Sequence, residues 1–199
     1  MKRALDVLVA TPLLIASAPV ILLLMLIVCL DSRGSPVFTQ TRVGRNARPF
    51  TIYKLRTFYS DRHGLFPDEE IRWKDPRVTR AGNVLRRCKL DELPQLLNVV
   101  RGDMSLVGPR PDIPLQAQHY GPFESRRLAV RPGLTGIAQI SGNTFLDWKD
   151  RIHLDRWYVD NQSLQLDVMI LLHTLPVMLR GEHPADDPFG LRSGATPAG

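Results

Sequence analysis

The chain has 199 residues, 44% of them hydrophobic, and a formal net charge of +6 at pH 7. This length suits one domain and leaves no room for a second full one. The excess of positive charge predicts an anionic partner: a nucleic acid, an anionic membrane surface or a phosphorylated substrate. The two cysteines, Cys29 and Cys88, lack metal-ligand spacing. This argues against a zinc site or a disulfide scaffold and fits a reducing, cytoplasmic location.

The first element of the chain is apolar and long enough to enter a membrane. Between residues 4 and 30 the only charged side chain is Asp6, and the run exceeds the ~20 residues that a helix needs to cross the hydrocarbon. A cleaved signal peptide would use the small residues 16–18, but Pro19 would follow the cut directly and the apolar run continues beyond it. The pattern therefore favours a retained membrane segment over residues 1–32.

A proline in the middle of this segment predicts a sharp bend. Pro19 removes an amide and frees the carbonyl of Ile15, for which Thr11 or Ser17 can supply a substitute donor. Cations flank both ends of the segment. The positive-inside rule then gives a crossing helix no orientation, whereas it is satisfied if both ends stay cytoplasmic. A spanning helix with a tolerated kink is the alternative to this re-entrant form.

The next residues alternate between β-rich and helical patterns. The runs 35–46 and 50–56, separated by Gly and Asn, predict a hairpin. The polar stretch from Tyr59 to Pro76 predicts a loop, which is a candidate mobile cover for a functional site. Residues 78–88 predict an amphipathic helix whose basic face can lie on a bilayer, with an ordinary surface helix as the alternative.

Three more helices are predicted, over residues 115–128, 148–159 and 164–179. The second of them carries two tryptophans that suit either a water–lipid boundary or the core. Ser163 is a suitable N-cap for the third, which is too polar to cross a membrane but can lie in its interface. From Gly181 onward the apolar period ends, which predicts a disordered tail over 181–199.

The candidate chemistry begins with two adjacent acids, Asp91 and Glu92, at the start of a predicted helix. Taken alone, Asp91 is also a good N-cap, and acids favour the positive end of a helix. Arg110 lies between two prolines, and Arg131 precedes Pro-Gly. Arginine grips phosphate oxygens with two parallel hydrogen bonds, so two rigidly held arginines indicate a phosphate site. A structural salt bridge to Asp103 or Glu124 is the alternative.

From Lys2 to about Arg180 the chain resembles the bacterial sugar transferases, the monotopic phosphoglycosyl transferases. The resemblance is carried by K-L-D-E-L-P-Q-L-L-N-V-V-R-G-D-M-S-L-V-G-P-R-P over residues 89–111 and by R-P-G-L-T-G over 131–136. It implies an α+β, mostly helical fold. A re-entrant membrane helix, bent at residues 17–19, a β-hairpin and amphipathic interfacial helices would surround a small cytoplasmic catalytic domain over 33–180.

The resemblance also implies a reaction, in which a phosphosugar moves from a UDP-sugar to polyprenyl (undecaprenyl) phosphate. Asp91 would be the nucleophile, UMP would leave, and the polyprenyl phosphate would attack the intermediate. Glu92 would be a metal ligand or acid–base partner, and Arg87, Arg110 and Arg131 would bind phosphate. Mg²⁺, with Mn²⁺ as a substitute, would be held at the two acids to offset the repulsion between carboxylate and diphosphate.

The implied location is the cytoplasmic leaflet of the bacterial inner membrane, with membrane lipids as partners and no nucleic acid. The implied role is the first membrane step of polysaccharide or glycoconjugate assembly. The chain departs from the family pattern at the bend, where Ala18 precedes the proline and Ser17 stands one position early. Asn143 replaces a usual arginine, so the donor is held differently or Lys149 or Arg151 substitutes.

Two functions of other classes are alternatives. A membrane-tethered nucleic-acid-binding protein would use the basic surface, although the chain has no recognisable nucleic-acid motif. A non-catalytic membrane scaffold would release no UMP from any UDP-sugar.

Overall fold

A computed structural model describes residues 1–59, 75–181, 183 and 186–191. The helices are α1 (Lys2–Asp31), α2 (Arg80–Arg87), α3 (Leu96–Arg101), α4 (Pro114–Ala117), α5 (Pro122–Ser125), α6 (Ile137–Ile140), α7 (Trp148–Asp160) and α8 (Leu164–Arg180). The strands are β1 (Val37–Val43), β2 (Pro49–Leu55), β3 (Ser105–Val107) and β4 (Gly133–Thr135). Short 3₁₀ turns cover Arg45–Ala47, Leu90–Gln95, Arg126–Ala129 and Asn143–Phe145. The α+β, mostly helical class is confirmed, whereas most of the loop predicted between Tyr59 and Pro76 lies outside the described residues.

Helix α1 continues through both of its prolines. Within the described ranges it is the only helix long and apolar enough to cross a membrane, with a mean hydropathy of 3.0. The hydroxyl of Ser17 donates to the carbonyl of Leu14 at 3.2 Å, and not to the carbonyl of Ile15 that Pro19 frees. A hydroxyl that bonds back to the preceding turn favours bending. The re-entrant path itself stays a prediction.

The N-terminal end of α1 is bound firmly to the rest of the protein. The ammonium of Lys2 lies 2.6 Å from Asp167 on α8, and Arg3 donates to two carbonyls at the end of α3. The buried carboxylate of Asp6 accepts hydrogen bonds from the hydroxyl of Ser105 at 2.9 and 3.0 Å. A buried carboxylate needs such donors because its desolvation is costly.

The C-terminal end of α1 contacts the same body. Val28 is buried in a small cluster with Leu55 of β2 and Leu85 of α2. The carboxylate of Asp31 accepts the backbone amide of Ala81 at 2.9 Å. Both ends of the apolar helix are therefore attached to one folded unit, while most of its middle is exposed.

The predicted hairpin is confirmed. Strands β1 and β2 pair in antiparallel register from Val37 opposite Leu55 to Val43 opposite Pro49. Asn98, fully buried on α3, donates to the carbonyl of Thr51 at 2.7 Å and accepts the amide of β2 two residues later. This side chain fixes the hairpin against the segment that carries the acid pair.

A two-stranded parallel sheet was not predicted. Ser105 of β3 lies opposite Gly133 of β4, and Val107 lies opposite Thr135. Each strand has three residues, too few for a period to be read from the sequence. A Cβ atom on Gly133 would lie 2.1 Å from the amide nitrogen of Gly108, so only glycine permits this close approach. The main hydrophobic core surrounds the sheet and includes residues from α1, α3, α6, α7 and α8.

Most of the predicted helices are confirmed, with one exception. Helices α2, α7 and α8 match the predictions, and Thr79 and Ser163 accept hydrogen bonds as N-caps of α2 and α8. The single helix predicted over 115–128 is wrong. The structure breaks it into α4, α5 and a 3₁₀ turn, because Gly121 adopts an extended backbone and Pro122 starts a new helix there.

Two more predictions gain detail. Trp148 lies over the guanidinium of Arg127 at 5.7 Å, and Trp157 packs against the main core. Part of the segment predicted as a disordered tail has a defined place: Phe189 and Leu191 also pack against that core. The boundaries of the predicted domains stay predictions.

Candidate active site

The acid pair lies on the 3₁₀ turn Leu90–Gln95, directly before α3. Lys89 precedes the turn in a left-handed conformation, with φ of 57°, and is its N-cap. The alternative role of Asp91 as an N-cap is therefore wrong, and the structure records no side-chain capping bond at this turn. Asp91 is 7% exposed and stands with Glu92 in the first turn, so the favourable position of acids at the positive end of a helix still applies to both.

Two cations reach Glu92 from distant parts of the chain. The ammonium of Lys54, on β2, lies 2.7 Å from a carboxylate oxygen of Glu92. The guanidinium of Arg110 lies 3.4 Å from the same oxygen. The structure thus brings together three of the predicted site residues, Asp91, Glu92 and Arg110. It adds Lys54, which was not predicted.

Lys54 was missed as a functional residue, although it belongs to the stretch that resembles the family. Strand alternation places Lys54 on the same face of β2 as Phe50 and the buried Ile52. A lysine at an inward position of a strand rarely stays buried unless it is paired. The inward position of this lysine was the signal in the sequence that it has a partner. The partner, Glu92, lies 38 residues later and cannot be identified from periodicity.

Burial and charge give the two acids different pKa values. Burial raises the pKa of Asp91 to about 6, with the charge of Lys54 opposing the rise and that of Glu92 adding to it. Burial alone would also raise the pKa of Glu92, but Lys54 and Arg110 outweigh it and hold this pKa well below its usual range. Burial also lowers the pKa of Lys54, but the charge of Glu92 at 2.7 Å opposes this and favours the ammonium form. Glu92 is therefore a fixed anion, while Asp91 is a carboxylate that is poorly stabilised in its charged form.

Arg110 stands on a loop that follows β3, and this loop is anchored by a buried arginine. One terminal nitrogen of Arg127 donates to the backbone carbonyl of Arg110 at 2.9 Å. Arg127 also forms ion pairs with Asp112 and Asp155 and donates to the hydroxyl of Tyr120 at 2.9 Å. Burial alone would lower the pKa of Arg127, but the two carboxylates outweigh it and raise the pKa above its ordinary value.

The other two predicted phosphate binders lie elsewhere. Arg131 donates through Nε to the carbonyl of Gly102 at 2.8 Å and lines a separate cleft with Asp103. Arg87 is exposed at the end of α2. Its neighbour Arg86 is the residue of that pair whose charge lowers the pKa of Asp91. The roles of Arg131 and Arg87 as phosphate binders stay predictions.

The position where the family usually has arginine lies in a tight buried turn. Asn143 is 4% exposed and has a φ of 42°, a left-handed conformation that asparagine tolerates better than most residues. Of the two proposed substitutes, Arg151 donates to the carbonyl of Leu146, and Lys149 is exposed.

A folded body that carries one long apolar helix and presents a buried carboxylate beside basic side chains fits an enzyme that handles phosphate groups. The model of the bacterial sugar transferase family matches residues 1–181. The chain is 43% identical over 186 residues to the uncharacterized sugar transferase EpsL of Bacillus subtilis, which covers 92% of this chain and 89% of that protein.

Two relatives have names that specify a reaction. The UDP-glucose:undecaprenyl-phosphate glucose-1-phosphate transferase of Caulobacter vibrioides is 44% identical over 187 residues, which cover 89% of this chain and 69% of that protein. The undecaprenyl-phosphate galactose phosphotransferase of Salmonella typhimurium is 36% identical over 194 residues, 90% of this chain and 40% of that protein. The chain belongs to the bacterial sugar transferase family, and the prediction that it is an enzyme of this kind is confirmed.

Proposed function

We propose that the protein transfers a phosphosugar from a UDP-sugar to polyprenyl phosphate and releases UMP. The observation that carries this proposal is the acid pair itself. A buried Asp91, with no recorded hydrogen bond to the described residues, lies next to Glu92, whose charge is fixed by Lys54 and Arg110. The reactions named for the Caulobacter and Salmonella relatives support a sugar-phosphate transfer to a polyprenyl phosphate, and the Caulobacter name also specifies a UDP-sugar donor.

The proposed reaction has two displacements at phosphorus. In the first, a carboxylate oxygen of Asp91 attacks the sugar-bearing phosphorus, the bond to UMP breaks, and UMP leaves with the bonding electrons. In the second, a phosphate oxygen of the polyprenyl phosphate attacks the same phosphorus. The bond to Asp91 breaks, the carboxylate is restored, and the product is a polyprenyl diphosphate sugar.

The cations support charge development during both steps. Arg110 has a side chain that is 37% exposed, so it can contact a phosphate that enters beside Asp91 while it stays next to Glu92. Lys54 holds Glu92 in place and opposes the rise that burial causes in the pKa of Asp91. Preorganised cations of this kind stabilise a transition state without reorganisation during the reaction.

The two acids suit a divalent cation by their chemistry. Mg²⁺ takes oxygen ligands and is usually bound through one or two carboxylates together with substrate phosphates. The described residues contain no group of three or more acids, histidines or cysteines that would form a metal cage, so Asp91, Glu92 and the donor's phosphates would supply the ligands. Bound there, Mg²⁺ would offset the repulsion between carboxylate and diphosphate.

Membrane attachment follows from α1 and α8. Both ends of α1 are bound to one folded unit, which supports a helix that enters and leaves on the same side of the bilayer. The exposed apolar side chains of α8 extend this surface; they are Val168, Met169, Leu172, Leu175 and Leu179. A cytoplasmic body with these helices in the inner leaflet would place the site at the depth of a lipid phosphate.

Intact-protein mass spectrometry tests the proposal directly. Purified full-length protein with Mg²⁺ and each of a panel of UDP-sugars, but without acceptor lipid, should gain one phosphosugar and release about one UMP per enzyme. Peptide mapping should place the adduct on Asp91, and EDTA should prevent its formation. No adduct with any donor, under conditions in which undecaprenyl phosphate supports turnover, would contradict the covalent step. No turnover with any donor would favour the scaffold or nucleic-acid alternatives.

A further inference from the structure

A second group of cations lies at the turn of the hairpin, in a cleft of about 390 Å³. Arg45, Arg48 and Arg131 line it, together with Asp103 and the ring of Phe50. This volume falls in the range of small-molecule sites, about 300–1,000 Å³. Three guanidinium groups against one carboxylate make the cleft electropositive.

Two of these arginines are held so that one edge of each guanidinium stays available. Arg45 donates through Nε to the carbonyl of Ala129 at 3.1 Å, and Arg131 donates through Nε to the carbonyl of Gly102 at 2.8 Å. A bond through Nε fixes the guanidinium plane and leaves the edge formed by the two terminal nitrogens. That edge is the one that binds phosphate with two parallel hydrogen bonds.

The acids of the described chain do not neutralise these groups. The structure records no ion pair between Arg45, Arg48 or Arg131 and any described carboxylate. Asp103, the acid that lines the cleft, accepts instead from the side-chain amide of Asn98 at 3.3 Å. The charge of the cleft is therefore available to an anion from outside the chain.

The backbone of the turn is held in an unfavourable conformation that presents these side chains. Asn46 and Ala47 have φ of 57° and 59°, and for an alanine the left-handed region costs about 1–2 kcal/mol. The amide of Gly44 closes the turn by donating to the carbonyl of Arg48 at 2.8 Å. Non-glycine residues in such conformations concentrate at functional sites.

The cleft lies apart from the acid pair. The lining residue of β2 nearest to the acid pair is Phe50, whereas Lys54, which contacts Glu92, lies four residues further along the strand. At a rise of about 3.4 Å per residue, the Cα atoms of these two residues are about 14 Å apart. A phosphate held by Arg45 and Arg48 would not be the one attacked by Asp91.

We propose that the cleft of Arg45, Arg48 and Arg131 binds a phosphate ester at a site distinct from the acid pair. The same chemistry is offered by a soluble nucleotide and by the head group of an anionic lipid. A ligand here would contact the enzyme through fixed arginines and through the wall formed by Phe50, without taking part in bond breaking.

The proposed phosphate site can be tested in the wild-type protein by chemical modification of arginine with phenylglyoxal. Peptide mass spectrometry locates the modified arginines, and the measurement does not depend on enzymatic turnover. Full-length protein in phosphatidylcholine nanodiscs is labelled with and without UMP, and again in nanodiscs that also contain phosphatidylglycerol. Labelling of the cleft arginines should slow by about tenfold or more in one of the two arms, as expected for loss of a charge-assisted contact. Arg126, an exposed arginine paired with Asp160, is the internal control.

One double variant at the cleft and one variant at the acid pair separate the two sites, with Arg126→Gln as the control. The double variant Arg45→Gln, Arg48→Gln should lower the affinity for the protecting ligand by about tenfold or more. Arg126→Gln should leave this affinity unchanged. In the Arg110→Ala protein the cleft should still be protected, because that arginine contacts Glu92 and not the cleft.

The outcomes decide the proposal and its source of phosphate. Protection by UMP identifies a soluble phosphate ester, and protection by phosphatidylglycerol identifies a lipid head group. Unchanged labelling of Arg45, Arg48 and Arg131 in both arms would overturn the proposal. Loss of cleft protection in Arg110→Ala would merge the cleft with the acid-pair site and overturn its independence, whatever the result for the covalent intermediate.

Discussion

Two buried ionic clusters lie side by side in this protein, and they differ in how completely their charges are matched. Around Arg127, the guanidinium meets Asp112, Asp155 and the carbonyl of Arg110. At the acid pair, Asp91 makes no recorded hydrogen bond with the described residues, although it is buried. Matched buried ions hold a structure in place, whereas a buried carboxylate left short of partners is available to a ligand.

The largest expected effect is at the unmatched carboxylate. Asp91→Asn should lower turnover by about 10⁴-fold or more, because an amide cannot act as the nucleophile. The fold should stay intact, since Asp91 is not a helix cap. A turnover assay with undecaprenyl phosphate measures the loss of activity, and circular dichroism measures whether the fold is intact.

Asp147→Asn is the matched control. Asp147 is the exposed N-cap of α7 and accepts from the amide of Asp150, and asparagine caps about as well as aspartate. This variant should keep both activity and stability. Substantial activity in Asp91→Asn would defeat its role as nucleophile.

Variants of Arg110 and of Arg127, which donates to the carbonyl of Arg110, should separate an effect on catalysis from an effect on stability. Arg110→Ala should reduce turnover by about 10²–10³-fold, as for loss of one preorganised donor, with little change in unfolding. Arg127→Ala should instead lower the free energy of unfolding by about 3–5 kcal/mol, because it leaves the buried carboxylate of Asp155 without its ion-pair partner. The carboxylate of Asp112 would keep only the hydroxyl of Tyr120 among the described residues.

Chemical denaturation and steady-state kinetics on the same preparations measure this contrast. Equal losses of stability in the two variants would show that the clusters are one structural unit. An Arg127→Ala protein of normal stability would show that its carboxylates find other partners.

The pH dependence should report the poor stabilisation of ionised Asp91. Attack requires the carboxylate, so at Mg²⁺ and donor concentrations low enough to report the free enzyme, the rate of adduct formation should fall by about tenfold per pH unit below about pH 6 and level off above it. Because this folded pKa lies above the value of an unfolded aspartate, the contribution of Asp91 to stability is present at low pH and is lost as the pH rises through about 6.

Lys54→Gln sharpens this test. Burial raises the pKa of Asp91 and Lys54 opposes the rise, so removal of the lysine charge should move the limb of the profile to higher pH. Arg126→Gln should leave the limb in place. A profile that is flat between pH 5 and 7 would show that Asp91 does not control the rate.

The smallest expected effect lies away from both clusters, at the C-terminal segment. Phe189 packs against the core and lies 5.4 Å from the ring of His173, although only a disordered tail was predicted there. Phe189→Ser should lower the free energy of unfolding by about 1–2 kcal/mol through lost apolar burial and leave turnover unchanged. Thermal unfolding monitored by circular dichroism measures this, and an unchanged midpoint would show that the contact contributes nothing.

The sequence by itself determined the elements that have a strong local pattern. A charge-poor apolar run defined α1, alternation with turn residues defined the hairpin, and helical periodicity with Ser163 as a cap defined α8. The residues over 89–111 also singled out Asp91, Glu92 and Arg110 through their resemblance to the bacterial sugar transferases, because a continuous motif can be recognised without knowledge of the fold.

Only the tertiary structure decided which side chains meet. It paired Lys54 with Glu92, joined the three-residue strands β3 and β4, and placed Arg131 in a different cleft from Arg110, although both arginines stand beside proline and glycine in the sequence. Strands of three residues carry no readable period, and a contact between residues 38 positions apart depends on how the chain closes its loops. These arrangements follow from packing of the whole core, which no local pattern contains.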